Sequence, residues 1–282
     1  EHGDTTFRWK KQREIEMLSK LKLGPKLIAA FAGIAIVGAI TGTIGYRAST
    51  ELGRLMNEVG SVKMEGIEAL SKVEYSMACM VVGERGLAND AGTGDARKAQ
   101  YTFIGEYYDA SQEAFKAYEA IEKSEKEKKD WEEFRALWDH WYEECGKITA
   151  IHEDIDHRMA TKGLTFDDDE IDSLHDTTKD MSFGEARDAF IAVNAKAEEM
   201  LGGLSADGEA LVKRAQASAR SALISIAAAV IIGFVLSIIC GTLIARSLTR
   251  PVARMATAAQ GLANGDMDQD IDYKSGDEIG LL

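Results

Sequence analysis

The sequence predicts an all-α protein: a membrane-anchored, up-down-up-down four-helix bundle followed by the truncated start of a helical coiled coil. Three observations predict it. Two charge-free apolar runs, LIAAFAGIAIVGAITGTIGY (27–46) and ALISIAAAVIIGFVLSIICGTLIA (222–245), are each long enough to cross a bilayer as a helix. The 175 residues between them contain no proline, and their apolar residues step by three and four, the helical period. The chain's two prolines, Pro25 and Pro251, stand at the inner edges of the two runs.

Charge predicts the orientation. Residues 1–26 carry seven Lys/Arg against four acids, and Arg246, Arg250 and Arg254 follow the second run. Basic flanks stay on the cytoplasmic side, so both chain ends are expected there. The segment between the runs carries a net charge of −15, which belongs to an exported domain and argues against nucleic-acid binding. The first run is too long for the apolar region of a cleaved signal peptide, and Arg47-Ala48-Ser49 continues into helix, so it reads as an uncleaved span. MLSKLKLGPKL from Met17 looks like a natural start, which makes residues 1–16 an upstream extension. The expected organisation is a cytoplasmic tail (1–26), a span (27–46), an exported bundle (47–221), a second span (222–245) and a cytoplasmic segment (246–282).

Each helix of the bundle has its own signal. The first carries Leu55, Val59, Val62, Ile67, Leu70, Val73, Met77 and Met80 inward and ends near the Gly/Asn/Asp-rich loop 89–94. The second runs from about Asp95 to Ile121. Ser124 and Glu127 have capping-box spacing and open the third, with Trp131, Phe134, Trp138, Trp141, Cys145, Ile148, His152 and Ile155 in one seam. That stripe reads as core packing. After a break at 161–166, Asp167 with Glu170 can cap a short helix, and the last helix starts near Ser182. The outer two helices match in length and the inner two form a hairpin, the arrangement that short loops impose. Gly38 and Gly42 form a small-xxx-small pair that allows two first spans to approach closely.

The cytoplasmic segment has a sharper pattern. Arg250-Pro251-Val252 opens an amphipathic helix with Val252, Met255, Ala259 and Leu262 on one face, since proline fits a first helical turn. Asn264-Gly265-Asp266 ends it, Met267 and Ile271 stud an acidic connector, and Asp277-Glu278-Ile279-Gly280 opens a second helix. These residues resemble the first helix and connector of a HAMP domain, a parallel four-helix coiled coil of dimeric bacterial receptors. Pro251, Glu278 and Gly280 stand at its signature positions, and Met267 and Ile271 at its buried connector positions. With LSKLKLGPKL before the first span and Val82–Ile121 followed by the Trp-rich helix, the chain resembles a methyl-accepting chemotaxis protein.

What that resemblance implies is a homodimeric chemoreceptor in the bacterial inner membrane. It would sense a periplasmic small molecule and act through a cytoplasmic adaptor and histidine kinase. A sensor histidine kinase, a diguanylate cyclase or a ligand-independent dimeric stalk that meets a partner protein carries the same front half. Such receptors commonly bind small anions or amino acids near the far end of the bundle, where counting helical rise places Arg85, Tyr101, His152 and Arg187. An interfacial arginine there would grip a carboxylate. The competing reading is that Arg85 pairs with Glu84 or a nearby acid and that His152 hydrogen-bonds within the core. No catalytic constellation, metal site or cofactor motif is predicted. Cys79 and Cys145 fall at similar heights, so a disulfide is conceivable in an oxidising compartment, although their helices would be diagonal. Haem or metal held by Cys145, His152 and Met77 or Met80 lacks the spacing of a ligand motif.

Overall fold

The computed structural model describes residues 23–89, 92 and 94–265. Helix α1 spans Leu23–Asn57, passes through a π-helical segment, Glu58–Met64, and continues as α2, Glu65–Leu87. Then follow α3 (Gly94–Ala120), α4 (Glu125–Lys162), α5 (Asp169–Phe183) and α6 (Glu185–Ala263). Among the described residues there is no strand. The chain divides into two units: Gly53–Gln216, and a second made of the segments either side of it.

The first unit is the bundle. Its core runs through Leu70, Val73 and Met77 of α2, Phe115 of α3, Phe134, Trp138 and Trp141 of α4, and Val193 and Ala197 of α6, all at most 2 % exposed. The aromatic stripe read from the sequence is indeed core. Trp138 lies 4.8 Å from Phe115 and 5.1 Å from Trp141 between ring centroids, both edge-on, the favoured geometry for such pairs. Gly83 lets α2 meet α3, because a Cβ there would come within 2.6 Å of Ile104 Cγ1.

The local signals at the hairpin hold. Ser124 Oγ accepts from the Glu127 amide while Glu127 Oε2 accepts from the Ser124 amide at 2.7 Å. α4 ends on Gly163, whose φ of 69° needs a residue without a Cβ. Elsewhere the structure differs. Asp168, not Asp167, precedes α5, and its carboxylate accepts from the Thr165 amide and hydroxyl, tightening the loop. Glu170 pairs with Arg158 and Lys162 of α4.

The π-helical segment moves the inward register by one residue. Val59 and Val62, expected inside, are half-buried, and Lys63 takes the buried position eight residues after Leu55. Its ammonium donates to Glu127 Oε1 at 2.7 Å and Asp207 Oδ2 at 3.2 Å, joining this helix to the start of α4 and to α6. Lys196 of α6 is likewise buried, against Asp130 and Glu133 of α4 and Glu199 of its own helix. A buried charge persists only when paired in this way.

In the second unit, α1 and α6 touch where Gly233 meets Val37; a Cβ there would lie 3.0 Å from Val37 Cγ1. Phe31, Ile36, Leu223, Ile231 and Phe234 are more than half exposed, and both helices are long and apolar enough to cross a membrane. A Cβ at Gly38 or Gly42 would meet no other part of the chain within 4 Å among the described residues. Pro251 does not open a new helix: it lies inside α6, which continues to Ala263 and ends on Gly265 with a φ of 87°. A proline removes one backbone hydrogen bond and leaves the rest of a long helix to carry it. Met255 is half-buried and Leu262 exposed on this stretch. The connector and second-helix positions Met267, Ile271, Glu278 and Gly280 lie outside the described residues.

Candidate ligand-binding cleft

At the far end of the bundle, α5 fills the space between α2, α4 and the start of α6. The junction of α5 and α6 is Gly184 (φ −99°, ψ −114°), and a cleft of about 370 Å³ opens beside it. Glu84 and Arg85 of α2, Lys179 and Ser182 of α5 and Arg187 of α6 supply its polar groups, three cations against one acid, while Val81, Trp141 and Phe190 supply apolar wall. Two of the four residues singled out from the sequence, Arg85 and Arg187, therefore meet in one cleft. Both are exposed, so their guanidinium groups are open to an incoming anion. Lys179 pairs with Asp176 on its own helix, 3.1 Å away.

Glu84 stands beside them and is 7 % exposed. It does not pair with Arg85, contrary to one reading of the sequence. Its Oε1 accepts from Ser182 Oγ at 2.6 Å, and the Cys145 thiol donates to the same carboxyl. Burial pushes Glu84 above the usual carboxylate range, against the pull of Ser182, Cys145 and Arg85. Burial, with Glu84 nearby, likewise pushes the Cys145 thiol up. Cys79, Cys145 and Cys240 are all free thiols.

Tyr101 and His152 sit elsewhere, around an arginine that sequence reasoning missed. Arg97, in the first turn of α3, is 2 % exposed. Its guanidinium donates to Asp156 of α4 and to the Leu87 carbonyl at the end of α2. Its Nη2 lies 3.5 Å from both Nδ1 and the backbone oxygen of His152, and the group sits over the Phe166 ring. Tyr101 donates to Asp156 Oδ2 at 2.6 Å, and burial and that carboxylate raise its phenol. Tyr101 lines a separate cavity of about 520 Å³ with Arg97, Lys98 and Asp156. His175 Nε2 donates to the Ala88 carbonyl at 2.8 Å, so α2 ends on donors from both α3 and α5.

His152 is fully buried. Because Arg97 can only donate, Nδ1 acts as the acceptor and the ring proton sits on Nε2, which has no partner among the described residues. Burial, Arg97 and His175 hold the imidazole down at about 4, against the opposing pull of Asp156. The folded protein therefore keeps His152 neutral where an unfolded chain, titrating near 6.5, would protonate it. Stability from this residue is complete above about pH 6.5 and is lost as pH falls toward 4. The expected loss is about 3 kcal/mol across that window. Thermal melts of wild type and His152→Leu between pH 7 and 4 check this: the wild type should fall more steeply, and parallel curves would remove His152 as the cause.

Among the described residues no group of three or more His, Cys, Asp or Glu side chains is placed to hold a metal ion. The spacing that could have revealed Arg97 is a pair of i, i+4 patterns, Arg97/Tyr101 on α3 and His152/Asp156 on α4, which face each other.

Residues 20–160 match a family model described as a four helix bundle sensory module for signal transduction, and residues 243–282 match the HAMP domain model. Arg85, Tyr101 and His152 lie within the first match; Lys179, Ser182 and Arg187 lie beyond it. A curated relative from Acetivibrio thermocellus, named "Putative sensory transducer protein", is 25% identical over 179 residues. The match covers 64% of this chain and 29% of the relative, so the chain spans less than a third of that protein's length. No solved structure matches the chain.

Proposed function

Because the chain belongs to the family of four-helix-bundle sensory modules for signal transduction, we propose that it is a transmembrane chemoreceptor whose far-end cleft binds a small organic anion. The bundle lies in the periplasm, the two apolar helices cross the inner membrane, and the basic flanks of both hold the chain ends in the cytoplasm. Two copies pair, and a cytoplasmic adaptor and histidine kinase receive the output in chemotaxis.

The observation that carries this reading is the position of α6. Ala186, Arg187 and Phe190, in its first two turns, line the cleft, and the same helix includes the second apolar run and the first HAMP helix. An anion held between Arg85 on α2 and Arg187 on α6 favours whichever relative placement of the two helices brings the arginines together. It shifts the equilibrium only by its difference in affinity for the two placements. Displacement of α6 against α2 is then delivered to HAMP.

The test is binding of small mono- and dicarboxylates to the full chain in lipid nanodiscs. At least one is expected to raise the melting temperature, and Arg85→Ala or Arg187→Ala should each weaken it by about tenfold or more, the worth of one charge-assisted hydrogen bond. Carboxylate binding that ignores both substitutions, or none at all, would overturn the proposal.

A further inference from the structure

Glu84 is the shared wall of two cavities. One is the arginine-bearing cleft. The other, of about 230 Å³, opens between α2, α3 and α4 and has the opposite charge. Its acids are Glu84 and Glu153; Thr149 adds a hydroxyl, Tyr142 an aromatic face, and Met80 and Ile104 apolar floor. No Lys or Arg lines it. We infer that this second cavity is a binding site for a small primary amine, whose ammonium group is received by Glu84.

A carboxylate withdrawn from water needs a cation or a full set of donors. Among the described residues no lysine or arginine forms an ion pair with Glu84: Arg85 acts on it only through space, and its hydrogen-bond partners are one hydroxyl and one thiol, both neutral. Lys63 and Lys196, the two buried lysines of the bundle, each meet at least two carboxylates. The bundle thus matches its buried ammonium groups with acids but leaves one buried acid without a cation in direct contact.

The second cavity supplies what an ammonium needs. Its three N–H donors require acceptors, which Glu84, Glu153 and the Thr149 hydroxyl provide. The Tyr142 ring, stacked on Tyr108 with centroids 4.6 Å apart, adds an aromatic group to the lining, a kind of partner that attracts a cation. The volume suits a monoamine of a few carbons, its hydrocarbon part against Met80 and Ile104. An inorganic cation would leave that apolar surface unused, and an anion would face two carboxylates.

The experiment uses the full chain in nanodiscs and methylammonium, n-butylammonium and 2-phenylethylammonium as probes. n-Butanol, butyrate and sodium chloride at matched ionic strength serve as controls, with binding read by calorimetry. At least one amine is expected to bind, while butanol and butyrate bind at least tenfold more weakly at this site. Glu84→Gln should weaken the amine by about tenfold or more, and the exposed Glu153→Gln by a smaller factor without disturbing the fold. Carboxylate binding governed by Arg85 and Arg187 should survive Glu153→Gln, which separates this site from the anion cleft. Equal binding of butanol and butylammonium, amine binding unchanged in both glutamine variants, or no binding of any of the three amines would overturn the inference.

Discussion

Arg97→Ala is expected to lower the stability of the bundle by about 3–5 kcal/mol, the usual cost of removing one partner from a buried charge pair. The guanidinium does three things at once. It neutralises Asp156, it satisfies the Leu87 carbonyl that α2 leaves unpaired at its end, and it fills the space against Phe166. Alanine abandons all three. For a unit of this size the loss corresponds to roughly 10 °C or more in melting temperature. Tryptophan fluorescence of the full chain on heating reads it directly, because Trp131, Trp138 and Trp141 lie in the core. Arg97→Lys should recover less than half, since an ammonium on a flexible stem cannot hold a carboxylate and a carbonyl in the same fixed plane. A melting temperature within about 2 °C of wild type for the alanine variant would show that this cluster is not what closes the far end.

Trp138→Ala is expected to cost a similar 3–5 kcal/mol for a different reason. The side chain is 1 % exposed and contacts Phe115 and Trp141 edge-on, so its removal opens a cavity the surrounding rings cannot fill. Trp141 also walls the far-end cleft, and losing its neighbour should loosen that wall and weaken the anion binding proposed there along with stability. Denaturant midpoints compare it with Val82→Ala, which removes a side chain 60 % exposed and should stay within about 0.5 kcal/mol of wild type. Equal midpoints for the two variants would mean the stripe is not the energetic centre of the fold.

Signals confined to a few consecutive residues read correctly from sequence. The capping box at Ser124 and Glu127, the break over 161–166 and the stripe of large side chains on α4 all depend on spacing within one element. What did not read correctly depends on a second element or on a choice between permitted local states. Pro251 fits a first turn better than a helix interior, yet it lies inside α6, where the rest of a long helix offsets the lost hydrogen bond. An ideal 3.6-residue period points Val59 and Val62 inward, and the π-helical segment interrupts that period. Lys63, Glu84, Arg97 and Lys196 look like surface charges in one dimension. Each is buried because its partner, or in Glu84 a neutral donor, comes from a distant helix. Of the far-end residues, Arg85 and Arg187 share a cleft as rise alone suggests, whereas Tyr101 and His152 were drawn to Arg97 and the other side of α4.

The π-helical segment has a consequence for how this chain tolerates changes in length. An ordinary helix cannot lose one residue without turning everything beyond it by about 100°. Glu58–Met64 already holds a residue more than an α-helix would place between Leu55 and the next inward position. The chain therefore carries an insertion in storage. A relative lacking one residue here can keep Leu70, Val73 and Met77 facing the core, and a comparison of lengths across this stretch should be made in turns, not in residues.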